Sequence, residues 1–303
     1  MKWETDGRDW PNRRASKFVA SGAHVWHVQR MSAKNARSAP TALLLHGAGA
    51  STHSWRDVMP NLARDHDVIA VDLPGHGFTN LGSRARSGLD AMARDLEALL
   101  KSLKVQPDIL VGHSAGAAIA MRLALDLKNG PKALVSLNGA LDPYGGIGGL
   151  MFPITARLLS MNPFAGFAVS QMAAHETGVR ALIMTTGSRL DDRGVELYRR
   201  LIGDAAHVDA TIAMMARWDI APLLTEIASI DIPMLMVAGS RDMVTAPKTA
   251  REIADRCRLA EFLAAPGYGH LHHEEAPAEV ADAIRAYAKR VLDQGGAALA
   301  AAG

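Results

Sequence analysis

Cysteine is almost absent from this 303-residue sequence, and the two signs of charge nearly cancel. The one cysteine, Cys257, cannot form a disulfide within the chain and cannot supply a four-cysteine zinc site. The 33 basic and 31 acidic side chains leave a formal charge of +2. Because a dedicated nucleic-acid-binding protein normally has a stronger basic excess, we predict no nucleic-acid partner.

Long apolar runs are also missing, since Gly, Pro, Asn and Gln interrupt the uncharged segments. The sequence therefore predicts no membrane-spanning helix. Residues 1–17 are polar and charged, without the apolar core of a secretory signal, so we expect the protein to be cytoplasmic. Apolar residues make up 49% of the sequence and charged residues 21%, which is typical of a folded globular chain.

Short apolar segments alternate with amphipathic helical segments along most of the chain. The predicted strands are Thr41–Leu45, Val68–Val71, Ile109–Val111, Ala133–Leu137, Met234–Ala238 and Ala260–Ala265, and the predicted helices are Ser87–Leu103, Ala115–Leu127, Pro247–Cys257 and Pro277–Leu292. Most of these strands lack polar alternation, as strands buried on both faces do. The pattern predicts an α/β fold with a mostly parallel central sheet and helices on both faces. His24–Gln29 does alternate, so we expect it to be an antiparallel edge strand.

The strand–helix alternation breaks between about residues 141 and 217, where the pattern becomes helical and loop-like. We predict an α/β core formed by residues 1–140 and 218–294, a helical cap at 141–217 and a flexible tail at 295–303. The cap segment contains few charges, with Arg157 the only one between residues 143 and 175.

Large apolar side chains are common in this uncharged part of the predicted cap. They include Phe152, Met161, Phe164 and Phe167, which we predict to bind substrate. One interpretation is an insertion that packs its apolar face on the core. A compatible interpretation is a cap that lines a pocket for an apolar small molecule. A third is peripheral contact with a membrane surface or a partner protein.

The pentapeptide Gly112-His113-Ser114-Ala115-Gly116 carries the strongest chemical signal. It follows an apolar strand and begins an Ala-rich helix, which is the setting that a G-x-S-x-G nucleophile turn requires. Glycine two residues before and two after the serine removes side chains that would crowd a sharp turn. The sequence therefore predicts Ser114 as a nucleophile.

A serine nucleophile needs a base, and that base needs an acid to orient it. We predict His270 as the base and Asp242 as the acid, because each follows a late strand in the order Ser, Asp, His. Asp142 is an alternative acid, which we weigh well below Asp242. His272 and His273 compete with His270 for the role of base.

The oxyanion hole should be built from backbone amides, and we predict those of Ala115 and Ala48. Ala48 lies in the loop 46–50, which follows the strand ending at Leu45. This loop has a rival interpretation as a dinucleotide-binding turn, with Asp72 after the next strand as the ribose ligand. Thr52 stands where that motif needs its third glycine, so we predict no cofactor.

The cluster of His272, His273, Glu274 and Glu275 raises the question of a metal site. The spacing H-E-x-x-H is absent, and we expect these residues to be solvated at the start of the last helix. We therefore predict no metal. We interpret His175 and His207 in the cap as ordinary surface or core histidines.

Together these motifs resemble the α/β-hydrolase superfamily. The resemblance covers about residues 25–292 and includes the segments 46–49, 72–77, 112–116, 239–242 and 269–277. It implies a Ser114–His270–Asp242 triad, with the amides of Ala48 and Ala115 as the oxyanion hole. It also implies that the insertion after Leu141 is a helical cap. Serine at position 114 argues against the branches of the superfamily that attack through an aspartate.

A narrower resemblance, carried by residues 9–13, 26–29 and 46–56, is to the BchO family of magnesium-chelatase accessory proteins in bacteriochlorophyll biosynthesis. It implies a role near magnesium insertion into protoporphyrin, with magnesium-chelatase subunits as partners. Two functions stay open. The protein is either a serine hydrolase that acts on an ester-like bond in an apolar substrate, or a non-catalytic protein that binds porphyrin or docks on the chelatase.

Overall fold

A computed structural model describes residues 1–34, 38–127, 130–142, 165–173 and 175–301. Eight strands form one sheet in the order β1-β2-β4-β3-β5-β6-β7-β8. The strands are β1 (Ser16–Ser21), β2 (His24–Met31), β3 (Thr41–Leu45), β4 (Asp67–Val71), β5 (Ile109–His113), β6 (Ala133–Leu137), β7 (Met234–Gly239) and β8 (Ala260–Ala265). Strands β3 to β8 run parallel to one another, as the alternating pattern predicts.

The N-terminal edge of the sheet differs from the sequence prediction. Strand β2 is antiparallel to its neighbours as predicted, but it is not the edge, because β1 pairs along its outer side. The residues of β1 are partly exposed and alternate only weakly between buried and exposed positions. The hydrophobic pattern of this segment therefore gives little indication of a strand.

The described helices connect the parallel strands and fill the region between β6 and β7. They are α1 (Trp3–Asp6), α2 (Val58–Leu62), α3 (Leu89–Leu103), α4 (Ala115–Asp126), α5 (Ala165–Ala173), α6 (Glu176–Thr185), α7 (Asp192–Gly203), α8 (Ala205–Ala216), α9 (Ala221–Glu226), α10 (Pro247–Arg256), α11 (His272–Glu275) and α12 (Pro277–Ala301). Short 3₁₀ helices lie at Arg13–Ala15, Thr52–Trp55, Arg84–Arg86 and Ile227–Ser229.

The central strands of the sheet are buried on both faces. On β3, Leu43 and Leu45 join the core cluster that contains residues of α3, α4 and α10. The intervening residues Ala42 and Leu44 join a second cluster that contains residues of α2 and α12. Because successive strand residues point to opposite faces, a strand covered on both sides must be apolar throughout.

Four helices, α5 to α8, occupy the described part of the segment predicted to be a cap. Helix α12 continues to Ala301, through most of the segment for which the sequence predicts a flexible tail. Across the described residues, no helix combines the length and the apolar character needed to cross a membrane. The carboxyl ends of β5, β6, β7 and β8 meet at one edge of the sheet, and this edge carries the predicted triad.

Candidate active site

Ser114 occupies a strained turn between β5 and α4. Its backbone has φ 53° and ψ −119°, a left-handed region that residues with a side chain rarely adopt. A Cβ on Gly112 would lie 2.4 Å from the Cα of Ala117, and one on Gly116 would lie 2.3 Å from the carbonyl oxygen of Leu45. Both glycines are therefore required by packing, and this is the physical basis of the G-x-S-x-G pattern.

The predicted acid and base are in direct contact. His270 Nδ1 lies 2.9 Å from Oδ2 of Asp242, in the geometry in which an Nδ1–H donates to the carboxylate. Both residues are buried, at 6% and 8% exposure. Asp242, rather than the alternative Asp142, is therefore the partner of this histidine. The hydrogen bond fixes the ring so that the unprotonated nitrogen is Nε2.

Asp242 is held by further donors. The backbone amides of Val244 and Thr245 donate to Oδ1, at 2.8 and 2.9 Å. The Thr245 hydroxyl and the Asn138 side-chain amide donate to Oδ2, at 2.6 and 2.7 Å. Burial raises the pKa of Asp242, but the hydrogen bonds from His270 and Thr245 outweigh it and bring the pKa from 3.8 down to about 2. The carboxylate is therefore ionised at neutral pH.

His113 links the nucleophile turn to the base. It precedes Ser114, and its Nε2 donates to the backbone carbonyl of His270 over 2.9 Å, with the two rings 4.8 Å apart. Burial pushes the pKa of His113 well below its usual value, and His270 lowers it further. His113 is therefore a neutral donor that joins the loop of His270 to the end of β5.

The predicted oxyanion loop lies against Ser114. A Cβ on Gly47 would lie 3.0 Å from the Cβ of Ser114, so Gly47 packs directly against this serine. Among the described residues, the amides of Ala48 and Ala115 have no hydrogen-bond acceptor. The amide of Ala115 also belongs to the first turn of α4, where the helix dipole favours negative charge.

His46 and His207 hold this loop in place. His46 accepts from the amide of Leu73 at Nε2 and donates from Nδ1 to the carbonyl of Gly47, at 2.9 and 2.7 Å. His207, on α8, accepts from Gly77 N and lies 3.1 Å from the carbonyl of Gly49. His207 is thus a buried link between α8 and the loop, a role that its isolated position in the sequence does not reveal.

Three of the four residues in the cluster after Leu271 are not solvated, which corrects the sequence expectation for them. His272, His273 and Glu274 are only 3%, 1% and 7% exposed. Glu274 accepts from Arg56 and from the hydroxyl of Tyr198, each over 2.8 Å. Tertiary contacts that local polarity could not indicate bury the two histidines as well: His273 packs on the rings of Trp55 and His113, and His272 stacks on Tyr268. Within the described ranges, no three His, Cys, Asp or Glu side chains form a metal-binding group.

The residues of the dinucleotide interpretation have a structural role instead. Asp72 is fully buried and accepts from the amides of Thr52 and Phe78, at 2.7 and 2.9 Å, and from His27 Nδ1 at 2.7 Å. Its carboxylate joins two backbone segments and the side chain of His27. It therefore has no exposed face for a ribose.

The structure describes one of the four predicted substrate-binding residues. Phe167 lies on α5 and is 58% exposed. Phe152, Met161 and Phe164 lie outside the described residues.

Sequence reasoning missed two residues that hold the acid, Asn138 and Thr245. Asn138 follows β6 with φ 49°, a conformation that Asn tolerates, and bridges Asp242 to the carbonyl of Gly269. Its position directly after a parallel strand is the feature from which a place at this edge of the sheet could have been predicted.

This chain belongs to the alpha/beta hydrolase family, whose model matches residues 42–283. Among known proteins, the chain is 38% identical to the Magnesium-chelatase 30 kDa subunit of Rhodobacter capsulatus over 268 residues. That alignment covers 88% of this chain and 92% of the relative. The narrower resemblance found in the sequence is thereby confirmed.

Solved structures agree with the fold. An alpha/beta hydrolase fold protein from Burkholderia ambifaria superposes with a TM-score of 0.73 at 23% identity, covering 89% of this chain and 97% of that one. An esterase from Thermogutta terrifontis gives 0.70 at 20% identity, covering 91% and 98%. At these identities the likeness concerns the fold alone.

Proposed function

We propose that this protein is a serine hydrolase that cleaves an ester-like bond in an apolar substrate, with Ser114, His270 and Asp242 as its triad. The observation that carries the proposal is the combination of a strained, glycine-flanked Ser114 with a His270–Asp242 pair at the same sheet edge. Strain of this kind persists only where surrounding structure enforces it, and it concentrates at functional sites.

In the proposed reaction, the hydroxyl proton of Ser114 passes to Nε2 of His270 as the serine oxygen attacks the acyl carbon. The ionised Asp242 stabilises the imidazolium through Nδ1–H. The amides of Ala48 and Ala115 donate to the oxygen that becomes negative in the tetrahedral intermediate. His270 then gives its proton to the leaving alcohol, and a water repeats the sequence to release the acid and restore Ser114.

The substrate is proposed to be apolar because the cap segment 143–175 has one charged side chain and many large apolar ones. Phe152, Met161, Phe164 and Phe167 are the proposed contacts. Labelling the folded protein at neutral pH with a fluorophosphonate tests the nucleophile. We expect one adduct, located by peptide mass spectrometry on Ser114. A folded protein without that adduct would contradict the proposal.

The biological setting proposed for this activity is magnesium insertion into protoporphyrin, beside magnesium-chelatase subunits. The supporting observation is the 38% identity with a protein named as a chelatase subunit over nearly its whole length. Replacing Ser114 with Ala in a pigment-forming host tests whether the chemistry serves that setting. Unchanged pigment synthesis would show that nucleophilic catalysis is not the biological function.

A second candidate function is a non-catalytic protein that binds porphyrin or docks on the chelatase. The same identity favours it, because it indicates a role in an assembly without requiring turnover. Titrating the protein with protoporphyrin and recording its absorption band tests the binding form. A shift that saturates at micromolar concentration would support it, and an unshifted band would count against it.

A further inference from the structure

The turn between cap helices α6 and α7, residues 186–188, lies between the loops that carry the acid and the base. We call it the cap turn. The carbonyl oxygen of Thr186 accepts two hydrogen bonds, one from the amide of His270 over 3.1 Å and one from the amide of Met243 over 3.3 Å. Met243 directly follows Asp242. A single backbone oxygen of the cap therefore ties together the backbones of the acid loop and the base loop.

Ser188 extends the same attachment. It is 1% exposed, and its Oγ accepts from the amide of Leu271, next to the base, over 2.8 Å. The carboxylate of Glu275 spans the junction on the outside, accepting from the amides of Arg189 and Gly269 over 3.0 and 2.9 Å. The backbone amides of His270 and Leu271 are thus hydrogen-bonded to the cap turn. The amide of Gly269 is bound by Glu275, which also binds Arg189 next to that turn.

Gly187 shows how closely the segments fit. It has φ +80°, and a Cβ there would lie 1.8 Å from the carbonyl oxygen of Arg241. On the other side, a Cβ on Gly269 would lie 2.3 Å from the carbonyl carbon of Gly187 and 2.4 Å from Oγ of Ser188. No side chain fits at either position, so backbone packs directly on backbone.

We propose that the cap turn positions the acid–base pair, with Gly187 and Ser188 as positioning residues. This inference rests on the proposed function. The orientation of the His270 ring depends on where its backbone lies, and small displacements of a reacting group cost large factors in rate. The cap is then part of the scaffold of the triad, in addition to covering the site.

The first test compares Ser188→Ala with Ser170→Ala. Ser170 is also a fully buried cap serine, but its hydroxyl donates within α5 to the carbonyl of Phe167 and does not contact the base loop. Fluorophosphonate labelling is measured over a range of probe concentrations. We expect Ser188→Ala to lower the maximal labelling rate by about ten-fold or more, with little change in the half-saturating concentration. Ser170→Ala should label as the wild type does.

A second readout does not require activity. The proton on Nδ1 of His270, bound to Asp242, gives a downfield NMR signal that reports the geometry of the pair. We expect it to shift or broaden in Ser188→Ala and to stay unchanged in Ser170→Ala. If the wild-type protein does not label, the proposed function is contradicted. The NMR comparison of the two variants would still test whether the cap turn positions the acid–base pair. Wild-type rates and an unshifted signal in Ser188→Ala would overturn the positioning role.

A second pair of variants separates contact from backbone strain. Gly187→Ala and Gly267→Ala both place a side chain at positive φ, at +80° and +85°, but Gly267 has open space around it. We expect Gly187→Ala to reduce labelling by up to about 100-fold, and Gly267→Ala to label almost normally. Equal effects from the two substitutions would mean that backbone strain alone is responsible. That result would contradict a role for the close packing of Gly187 on the carbonyl oxygen of Arg241.

Discussion

Two of the Asp–His pairs in the described residues can be compared as candidate triads, and their surroundings differ. His270 and Asp242 lie at the carboxyl edge of the sheet, beside the strained turn of Ser114. Directly after β4, Oδ2 of Asp72 lies 2.7 Å from Nδ1 of His27 on β2, and His27 Nε2 lies 2.9 Å from Oγ of Ser16. Hydrogen bonds thus link Ser16, His27 and Asp72 into a chain of the residue types that a triad uses.

The surroundings separate the two sets. Ser16 has extended backbone at the start of β1, with φ −77°, so no helix N-terminus lies behind it. Its hydroxyl is already engaged by the side-chain amide of Gln29 over 3.2 Å. The ring of His27 is fully buried, and the rings of Trp3, Phe18 and Phe78 lie within 5.4 Å of it.

Hydrogen-bond distances among Ser, His and Asp are therefore an insufficient sign of a nucleophile. The turn of Ser114 adds a strained, glycine-flanked backbone and the amides of Ala48 and Ala115, which have no acceptor among the described residues. The His27–Asp72 set instead satisfies buried polar groups and fixes loops.

The largest expected effect comes from removing each serine in turn. Ser114→Ala should abolish fluorophosphonate labelling completely, because the attacking oxygen is gone. Ser16→Ala should leave both the rate and the location of labelling unchanged. Peptide mass spectrometry of both variants measures this. An adduct that persists in Ser114→Ala, or one found on Ser16, would erase the distinction between the two sets.

The next effect comes from the acids. Asp242→Asn should lower the labelling rate by about 10⁴-fold, because the amide no longer stabilises the imidazolium or holds its tautomer. Asp72→Asn should instead reduce the free energy of unfolding by about 3–5 kcal/mol, since it breaks a fully buried pair. Labelling kinetics and urea denaturation of both variants measure these effects. Slow labelling in Asp72→Asn together with normal labelling in Asp242→Asn would assign catalysis to the His27–Asp72 pair instead.

A third acid near the active pair, Glu274, gives a pH-dependent effect on stability. Burial raises its pKa from 4.5 to about 7, against the pull of the Arg56 guanidinium, which lowers it. Between these values the folded state keeps a proton that the unfolded state has released. The contribution of Glu274 to the free energy of unfolding therefore falls as pH rises, and Glu274→Gln should remove that fall.

We expect the stability difference between wild type and Glu274→Gln to change by about 2–3 kcal/mol from pH 4.5 to pH 7.5, in favour of the variant at the higher pH. Urea denaturation at both pH values measures it. Glu279→Gln, at a half-exposed glutamate on α12, is the control and should follow the wild type. Parallel curves for wild type and Glu274→Gln would show that folding does not raise the pKa of Glu274.

The smallest effect expected concerns the donors to Asp242. Thr245→Val removes one hydrogen bond of 2.6 Å, but Asn138 and two backbone amides remain. Losing one such bond costs about 1 kcal/mol, so labelling should slow only about five-fold. Thr225→Val, at an exposed threonine of α9, is the control. A loss as large as that of Asp242→Asn would mean that Thr245 contributes more than one hydrogen bond.

Local patterns in the sequence predicted the parallel strands and the turn around Ser114. Strands buried on both faces must be apolar throughout, and the strained turn needs Gly112 and Gly116 because a side chain there would strike backbone. The pairing of His270 with Asp242 could be predicted because both follow parallel strands, whose ends share one edge of the sheet.

The sequence by itself therefore determined the α/β architecture, the strained turn at Ser114 and the pairing of His270 with Asp242, since each depends on neighbours close in the chain or on strand order. Only the tertiary structure decided that His272, His273 and Glu274 are buried, that His27 and Asp72 form a structural pair, and that the cap turn meets both loops. Those features depend on contacts between residues far apart in the chain, where polar residues become buried only because distant partners satisfy their hydrogen bonds.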